Sequence, residues 1–366
     1  MANHQRNPFT PNFGSVPVWM AGRSEITNSI FAALDRGIGD PNLCALFSGA
    51  RGSGKTALLT YISDHAPDHG WVAVDVTASS GMLEDIMQRT IAAASKKTPF
   101  SPLQVKGVEL PLGINVSWER EHGRDPNWRT RMEALLEKLN GQGVGLLITV
   151  DEAKPSVGEM IRLSQTYQHF VRERRNVALL MAGLPHDVDS LVSNEDVSFL
   201  RRAARHRIGN VSQAEAQIAL RRTIELGDRS IGGAALATAA EATLGYPYLM
   251  QLVGFHSWDV GAPSPYISES DVRDGIALAQ ADFKQRVLDA TYRTLSAVDI
   301  RFLEAMLPDE GNSTLSDVAA RMGVRSNYAS RYRIRLEEQG IISERRRGVV
   351  GFDLPLFKEY VADMAD

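Results

Sequence analysis

The stretch Gly49-Ala50-Arg51-Gly52-Ser53-Gly54-Lys55-Thr56 decides the fold. An apolar run over residues 43–47 precedes it and predicts a buried parallel strand, and residues 55–65 predict a helix after it. Glycine adopts backbone conformations that other residues avoid, so such a loop wraps closely around a ligand with its N–H groups pointing inward. The start of the helix adds the positive end of its dipole. The stretch therefore predicts a loop that cradles phosphate groups.

The full pattern, Gly-x4-Gly-Lys-Thr between a strand and a helix, is that of a P-loop. We expect Lys55 to reach the β- and γ-phosphates of bound ATP or ADP, and Thr56 to ligate Mg²⁺. The predicted nucleotide-binding residues of this loop are Gly49, Ala50, Arg51, Gly52, Ser53, Gly54, Lys55, Thr56 and Ala57.

A second apolar strand, over residues 144–150, ends in two acids, Asp151 and Glu152. Alone, two acids at a strand end are most simply solvated. Downstream of a P-loop, we expect Asp151 to hold Mg²⁺ through water and Glu152 to polarise the attacking water as general base.

Composition limits the other functions. The net charge is −4, so any nucleic-acid surface must be local. One cysteine, Cys44, excludes an internal disulfide and favours a reducing compartment. No apolar stretch approaches the roughly 20 residues that span a bilayer, and residues 1–17 lack the apolar core of a signal peptide. We expect a cytoplasmic protein without a membrane partner.

Strands alternate with helices as far as about residue 210, which predicts an α/β fold with a parallel sheet and helices on both faces. Helices alone follow, so we predict a P-loop ATPase core over residues 1–210, a helical lid over 211–290 and a third unit over 291–366. Residues 1–17 are interpreted as a flexible or docked arm. Residues 96–126 are interpreted as an irregular insertion, with a hairpin over 105–116.

The third unit contains a helix with a turn at Gly323, a second helix over residues 326–339 and a basic hairpin around Arg345-Arg346-Arg347. Residues 313–350 hold eight arginines and four acids, a local net charge of +4 in an acidic chain. The arrangement resembles winged helix-turn-helix domains. This resemblance implies binding to double-stranded DNA, with contacts from Ser326, Asn327, Ser330, Arg331, Arg333, Arg335, Arg345, Arg346 and Arg347. The alternative is an internal clamp on the nucleotide, without DNA.

Over nearly its whole length the chain resembles the additional-strand P-loop ATPases, and more closely the AAA+/STAND group, which includes archaeal-type ATPases and origin-recognition replication initiators. Two motifs carry the resemblance besides the P-loop. Gly22 and Arg23 lie in the stretch Val18-Trp19-Met20-Ala21-Gly22-Arg23-Ser24-Glu25, which is similar to a Gly-Arg-x-x-Glu box near the adenine. Gly245-Tyr246-Pro247 is similar to the lid motif Gly-x-Pro, whose proline packs on the base.

The chain also departs from that pattern. The strand ending at Gly183 lacks the Ser, Thr or Asn of a sensor, and the Gly245-Tyr246-Pro247 region lacks a lid arginine. Both departures favour slow hydrolysis. The resemblance implies an arginine finger, Arg201 or Arg202, before the last strand of the sheet, acting on a neighbouring subunit of a homo-oligomer. The alternative is a solvated basic face.

The resulting hypothesis is an ATP-regulated DNA-binding protein, akin to replication initiators or ATP-dependent regulators. One alternative is a nucleotide-dependent signalling switch whose winged helix contacts protein. Another is a transposon- or defence-associated ATPase that loads a protein effector.

Overall fold

A parallel sheet forms the first part of the molecule, in a computed structural model that describes residues 6–12, 14–97 and 127–365. Within those residues the sheet has five strands in the order β2-β3-β4-β1-β5, with every neighbouring pair parallel. The strands are β1 (Cys44–Ser48), β2 (Trp71–Thr77), β3 (Gly145–Asp151), β4 (Val177–Gly183) and β5 (Ala204–Arg207). The predicted α/β fold is confirmed. The hairpin predicted over 105–116 lies outside the described residues.

Helices cover both faces of the sheet: α1 (Ser24–Arg36), α2 (Lys55–His65), α3 (Met82–Lys97), α4 (Trp128–Gly141), α5 (Gly158–Arg172) and α6 (Pro185–Ser193). Side chains alternate along a strand, so Leu46 joins the buried cluster on one face while Ala45 and Phe47 join the other. Because both faces are buried, the strands are almost continuously apolar. Because the strands are parallel, the carboxyl ends of β1 and β3 lie on the same side of the sheet.

A helical region follows β5, with α7 (Gln213–Leu226), α8 (Gly233–Ala242), α9 (Pro247–Val260), α10 (Glu269–Phe283) and α11 (Asp289–Tyr292). The expectation that strands stop near residue 210 was wrong, because β6 (Ser230–Ile231) and β7 (Tyr266–Ile267) form a short parallel pair. Two residues are too few to show a strand period. A π-helical turn, Lys284–Leu288, joins α10 to α11.

The C-terminal region contains α12 (Ala297–Glu304), α13 (Leu315–Arg321), α14 (Ser326–Glu338) and α15 (Phe357–Ala365). A three-stranded sheet, in the order β8-β10-β9, joins β8 (Ser313–Thr314), β9 (Ile342–Arg346) and β10 (Val349–Phe352). The predicted hairpin is present, whereas β8 and α15 were not predicted. One buried apolar cluster runs from the helical region into the C-terminal region and includes Leu249, Phe302 and Leu336.

The boundaries at 210 and 290 stay predictions, and the buried cluster continues across the second of them. Among the helices of the described residues, we find none that combines the length and the apolar character needed to cross a membrane.

Candidate functional site

The loop between β1 and α2 opens into a cleft of about 680 Å³. Seven of the predicted loop residues line it and two, Gly49 and Ala50, do not; the lining residues are Arg51, Gly52, Ser53, Gly54, Lys55, Thr56 and Ala57. Gly52 and Gly54 have φ of +70° and +90°, which favours glycine at both positions. A Cβ atom on Gly52 would lie 2.0 Å from the hydroxyl oxygen of Tyr246. The loop therefore requires glycine at this position both for its backbone and for space.

The side chain of Lys55 is held in place by backbone carbonyl groups of the loop. Its ammonium donates to the carbonyl oxygens of Gly49 and Ala50, at 2.9 and 2.8 Å. Burial lowers the pKa of Lys55 to about 8, and the nearby carboxylate of Asp151 opposes that shift. The ammonium is thus desolvated and positioned at the base of the cleft.

Thr56 and Asp151, the two residues predicted to bind Mg²⁺, lie within hydrogen-bond distance of each other at the carboxyl end of the sheet. The hydroxyl of Thr56 donates to a carboxylate oxygen of Asp151 at 2.5 Å, and the other oxygen accepts the Glu152 N–H at 2.9 Å. Hydroxyl and carboxylate oxygens are the hard donors that Mg²⁺ prefers, so the pair fits that ion. Glu152 itself is exposed and has φ of +53°.

Arg23 lies on another wall of the cleft, next to Gly22. Its guanidinium donates to the carbonyl oxygens of Gly209 and Ser53, at 2.5 and 3.3 Å. Burial lowers the pKa of this guanidinium. In this arrangement Arg23 ties the phosphate loop to the segment that follows β5, a role that the sequence did not predict.

The predicted lid motif lies directly on the phosphate loop. The hydroxyl of Tyr246 donates to the carbonyl oxygen of Arg51 at 2.5 Å. Pro247, the first residue of α9, has its Cβ 3.9 Å from the position that a Cβ on Gly54 would occupy. Burial raises the pKa of Tyr246 well above its usual range, so this hydroxyl stays a donor.

The end of α14 also reaches the cleft, where Gln339, Gly340 and Ile341 form part of its lining. A Cβ on Gly340 would lie 3.2 Å from side-chain carbons of both Arg51 and Leu184. Sequence reasoning identified Gly340 as the end of a helix and missed this contact. No local pattern signals it, because the two partners are far apart in the chain.

A second missed residue is Arg286, which lines the cleft from the π-helical turn. Its guanidinium is 3.2 Å from a carboxylate oxygen of Asp282. The sequence correctly shows no arginine at the Gly245-Tyr246-Pro247 motif, but the turn brings one to the same cleft from about 40 residues downstream.

Comparisons with known proteins agree with this geometry. The solved Walker-type ATPase of Pyrococcus abyssi superposes with a TM-score of 0.63 at 15% identity, covering 94% of this chain and 96% of that one. The ORC2 protein of Aeropyrum pernix, solved as ADPNP and ADP complexes, gives 0.60 at 14% identity, covering 97% and 98%. This chain has the fold of an AAA+ P-loop ATPase.

Two further comparisons concern the sequence. The model of a domain of unknown function, DUF8462, matches residues 285–361, which include most of the C-terminal region. The search of curated proteins found no match.

The two arginines predicted as arginine fingers, Arg201 and Arg202, end the 3₁₀ turn Glu195–Arg202. Both are exposed, and β5 is the edge strand that follows them. The last strand of the sheet, β5, begins two residues after Arg202, so it follows both arginines as predicted. Among the described residues, neither arginine lines the cleft of its own chain.

The arginines predicted to contact DNA divide into two groups. Three of these arginines form ion pairs with carboxylates of the C-terminal region. The pairs are Arg333 with Glu337 at 3.0 Å, Arg335 with Asp299 at 3.2 Å, and Arg345 with Asp353 at 2.7 Å. Arg331, Arg346 and Arg347 are exposed, and within the described part of the chain they form no ion pair. Ser326 and Asn327 are exposed, and Ser330 bonds back to the Ser326 carbonyl at 2.9 Å.

Proposed function

We propose that the cleft binds ATP or ADP together with Mg²⁺. The observation that carries this proposal is the meeting of Lys55, Thr56 and Asp151 at a glycine loop lining the cleft. A bound phosphate would replace the carbonyl partners of Lys55, and Mg²⁺ would replace the hydrogen bond between Thr56 and Asp151. The ADPNP and ADP complexes of the A. pernix ORC2 protein support the same ligand class.

Calorimetry with ATP and Mg²⁺ tests this proposal. Lys55→Ala removes a charged donor to the phosphates, and hydrogen bonds to charged groups are worth about 1.5–3 kcal/mol. We therefore expect ATP affinity to fall by roughly 10- to 150-fold with little effect on folding. Lys138→Ala, at an exposed position on α4, is the matched control and should bind like the wild type. Equal affinity in both variants would exclude the phosphate role of Lys55.

We propose that hydrolysis is slow and that Glu152 is its general base. Glu152 directly follows Asp151, the proposed Mg²⁺ ligand, and is exposed to water. β4 ends at Gly183, which offers no polar side chain to orient the γ-phosphate. Arg201 and Arg202 are exposed beside the edge strand, where one of them could complete the site of a neighbouring copy in a homo-oligomer.

The C-terminal region is proposed to be a winged helix-turn-helix domain that binds double-stranded DNA under the control of nucleotide. In this proposal α14 enters the major groove and the β9–β10 hairpin contacts phosphates. The supporting observation is that Arg331, Arg346 and Arg347 are exposed and unpaired in the described residues. Fluorescence anisotropy of a labelled duplex, titrated at low salt with the full chain, should show binding that differs between ATP, ADP and no nucleotide. Absence of binding in all three states would contradict the proposal.

A second candidate is a switch that contacts protein through its C-terminal region. The observation that favours it is that Gly340 packs against Arg51 of the phosphate loop and Leu184. His186 on α6 and Glu338 on α14 are 3.8 Å apart in the same contact. If the protein binds no duplex DNA in any nucleotide state, we would replace the DNA-binding proposal by this protein-contacting switch.

A further inference from the structure

The N-terminal arm, defined here as residues 7–12, is fixed to helix α9. Asn7 donates to the Phe255 carbonyl at 3.0 Å and to the Asp259 carboxylate at 2.8 Å. The backbone N–H of Thr10 donates to the side-chain oxygen of Gln251 at 3.0 Å. Between these contacts, Phe9 is 3% exposed. The arm is therefore a docked element of the fold.

Phe9 occupies a notch that exists because residue 254 is a glycine. A Cβ on Gly254 would lie 2.2 Å from the Phe9 ring. Even an alanine at position 254 would collide with the ring. The seat thus depends on the absence of a side chain in the middle of α9.

From this seat the chain runs along the cleft. Thr10, Asn12, Gly14, Ser15 and Pro17 all contribute to its lining. A Cβ on Gly14 would lie 4.0 Å from the methyl carbon of Thr56, the residue assigned to Mg²⁺. The segment after Phe9 therefore forms a wall beside the phosphate end of the site.

We infer that Phe9 is a positioning residue for the nucleotide site. Seated against Gly254, it holds the wall of the cleft in place, so that a bound nucleoside diphosphate or triphosphate leaves only after the arm detaches. The arm thereby sets the rate of nucleotide release. The inference rests on the proposed nucleotide function of the same cleft.

The test is stopped-flow release of a fluorescent ADP analogue, chased with unlabelled ADP, from the full chain. Phe9→Ala removes the anchor, and Gly254→Ala fills the seat without changing any residue that lines the cleft. Each should accelerate release by about ten-fold, which corresponds to 1.4 kcal/mol. Because both changes undock the same arm, the double variant should release no faster than the faster single variant.

The matched control is Gly233→Ala, at the first position of α8, where an added Cβ meets nothing within 4 Å. It should release like the wild type, and Phe9→Leu should recover most of the retention. A purely structural Phe9 would lower the thermal unfolding midpoint and leave the release rate unchanged. That result, or fully additive effects in the double variant, would overturn the inference.

The two proposals fail in different ways. A wild-type chain that binds no nucleotide contradicts the proposed function, whereas a wild type that binds and variants that release at its rate contradict only the role of Phe9. If Gly254→Ala does not fold, a chain lacking residues 1–9 takes its place and should release as fast as Phe9→Ala.

Discussion

The nucleotide cleft and the arginines of the C-terminal region were both predicted from side-chain patterns, yet the structure treats them differently. In the cleft, Lys55 donates to the backbone of the loop and Thr56 donates to Asp151, so the residues that the pattern singles out lie together. In the C-terminal region, Arg335 and Arg345 are bound to carboxylates that lie outside the counted stretch. A motif set by local spacing survives folding unchanged. The net charge of a stretch does not show which of its arginines are free, because carboxylates elsewhere in the chain form ion pairs with some of them.

We expect the largest effect on ATP affinity from a substitution at Gly52, where both the backbone and the available space require glycine. Gly52→Ala would place a Cβ 2.0 Å from the Tyr246 hydroxyl and should lower ATP affinity by about 100-fold, or about 2.8 kcal/mol. Gly348→Ala, in the C-terminal hairpin, has a similar φ of +73° but no atom within 4 Å of the added carbon. It should cost only the backbone strain, about 1–2 kcal/mol of stability. Calorimetry and thermal unfolding of both variants separate contact from strain.

The next effect concerns chemistry at the cleft. Glu152→Gln should keep ATP binding, because Asp151 still supports Mg²⁺, and should reduce turnover by about 100-fold or more. Glu137→Gln, at a carboxylate whose side chain is 72% exposed, is the control and should turn over normally. Phosphate release measures both. Unchanged turnover in Glu152→Gln would show that another group is the base, and a wild type without turnover would be a switch that holds nucleotide.

The arginines of the β9–β10 hairpin test whether free and ion-paired arginines contribute differently to DNA binding. Replacing the unpaired Arg346 and Arg347 together by Ala should weaken duplex binding by about ten-fold at low salt and reduce the salt slope by about two. Arg345→Ala should do less, because Asp353 already occupies that guanidinium. Anisotropy titrations across a salt series distinguish them. If Arg345→Ala has the larger effect on affinity, the division into paired and free arginines does not predict DNA contacts.

The same division predicts opposite effects along α14. Arg335→Ala leaves the carboxylate of Asp299, which is 0% exposed, without its ion-pair partner and should destabilise the fold by about 1–3 kcal/mol. Arg331→Ala should leave the unfolding midpoint unchanged and reduce affinity for a preferred DNA site more than for random DNA. Denaturant unfolding together with binding on the two duplexes tests the pair.

The smallest effect is a pH dependence in the cleft. The pKa of Lys55 without ligand is about 8, so its neutral fraction grows as pH rises through that value. Phosphate binding requires the ammonium, so binding takes up protons and affinity should fall about two-fold from pH 7 to pH 8. Calorimetry in two buffers with different ionisation enthalpies detects the uptake. Lys55→Arg, which stays protonated, should abolish the dependence.

Much of the first part of the molecule was predictable because each element follows from neighbouring residues. The apolar runs before Gly49 and Asp151 predict the strands, and the spacing of the loop predicts its geometry. Residues that meet only in space were not predictable: Gly340 on Arg51, Arg23 on the Gly209 carbonyl, and Arg335 on Asp299. Their partners lie tens to hundreds of positions away in the chain. The sequence leaves open whether residues 1–17 are flexible or docked, and the seat of Phe9 against Gly254 shows that residues 7–12 are docked.

The buried cluster that crosses residue 290 decides how the molecule can be divided for experiments. The ammonium of Lys284 lies 5.5 Å from the ring of Tyr360, and Leu288 belongs to the same cluster as Phe302 and Val361. A fragment that starts at residue 291 would expose this apolar surface to water and lose the packing that orders α15. We therefore expect the helical and C-terminal regions to unfold in one cooperative transition. A fragment meant to fold alone has to begin upstream of Lys284.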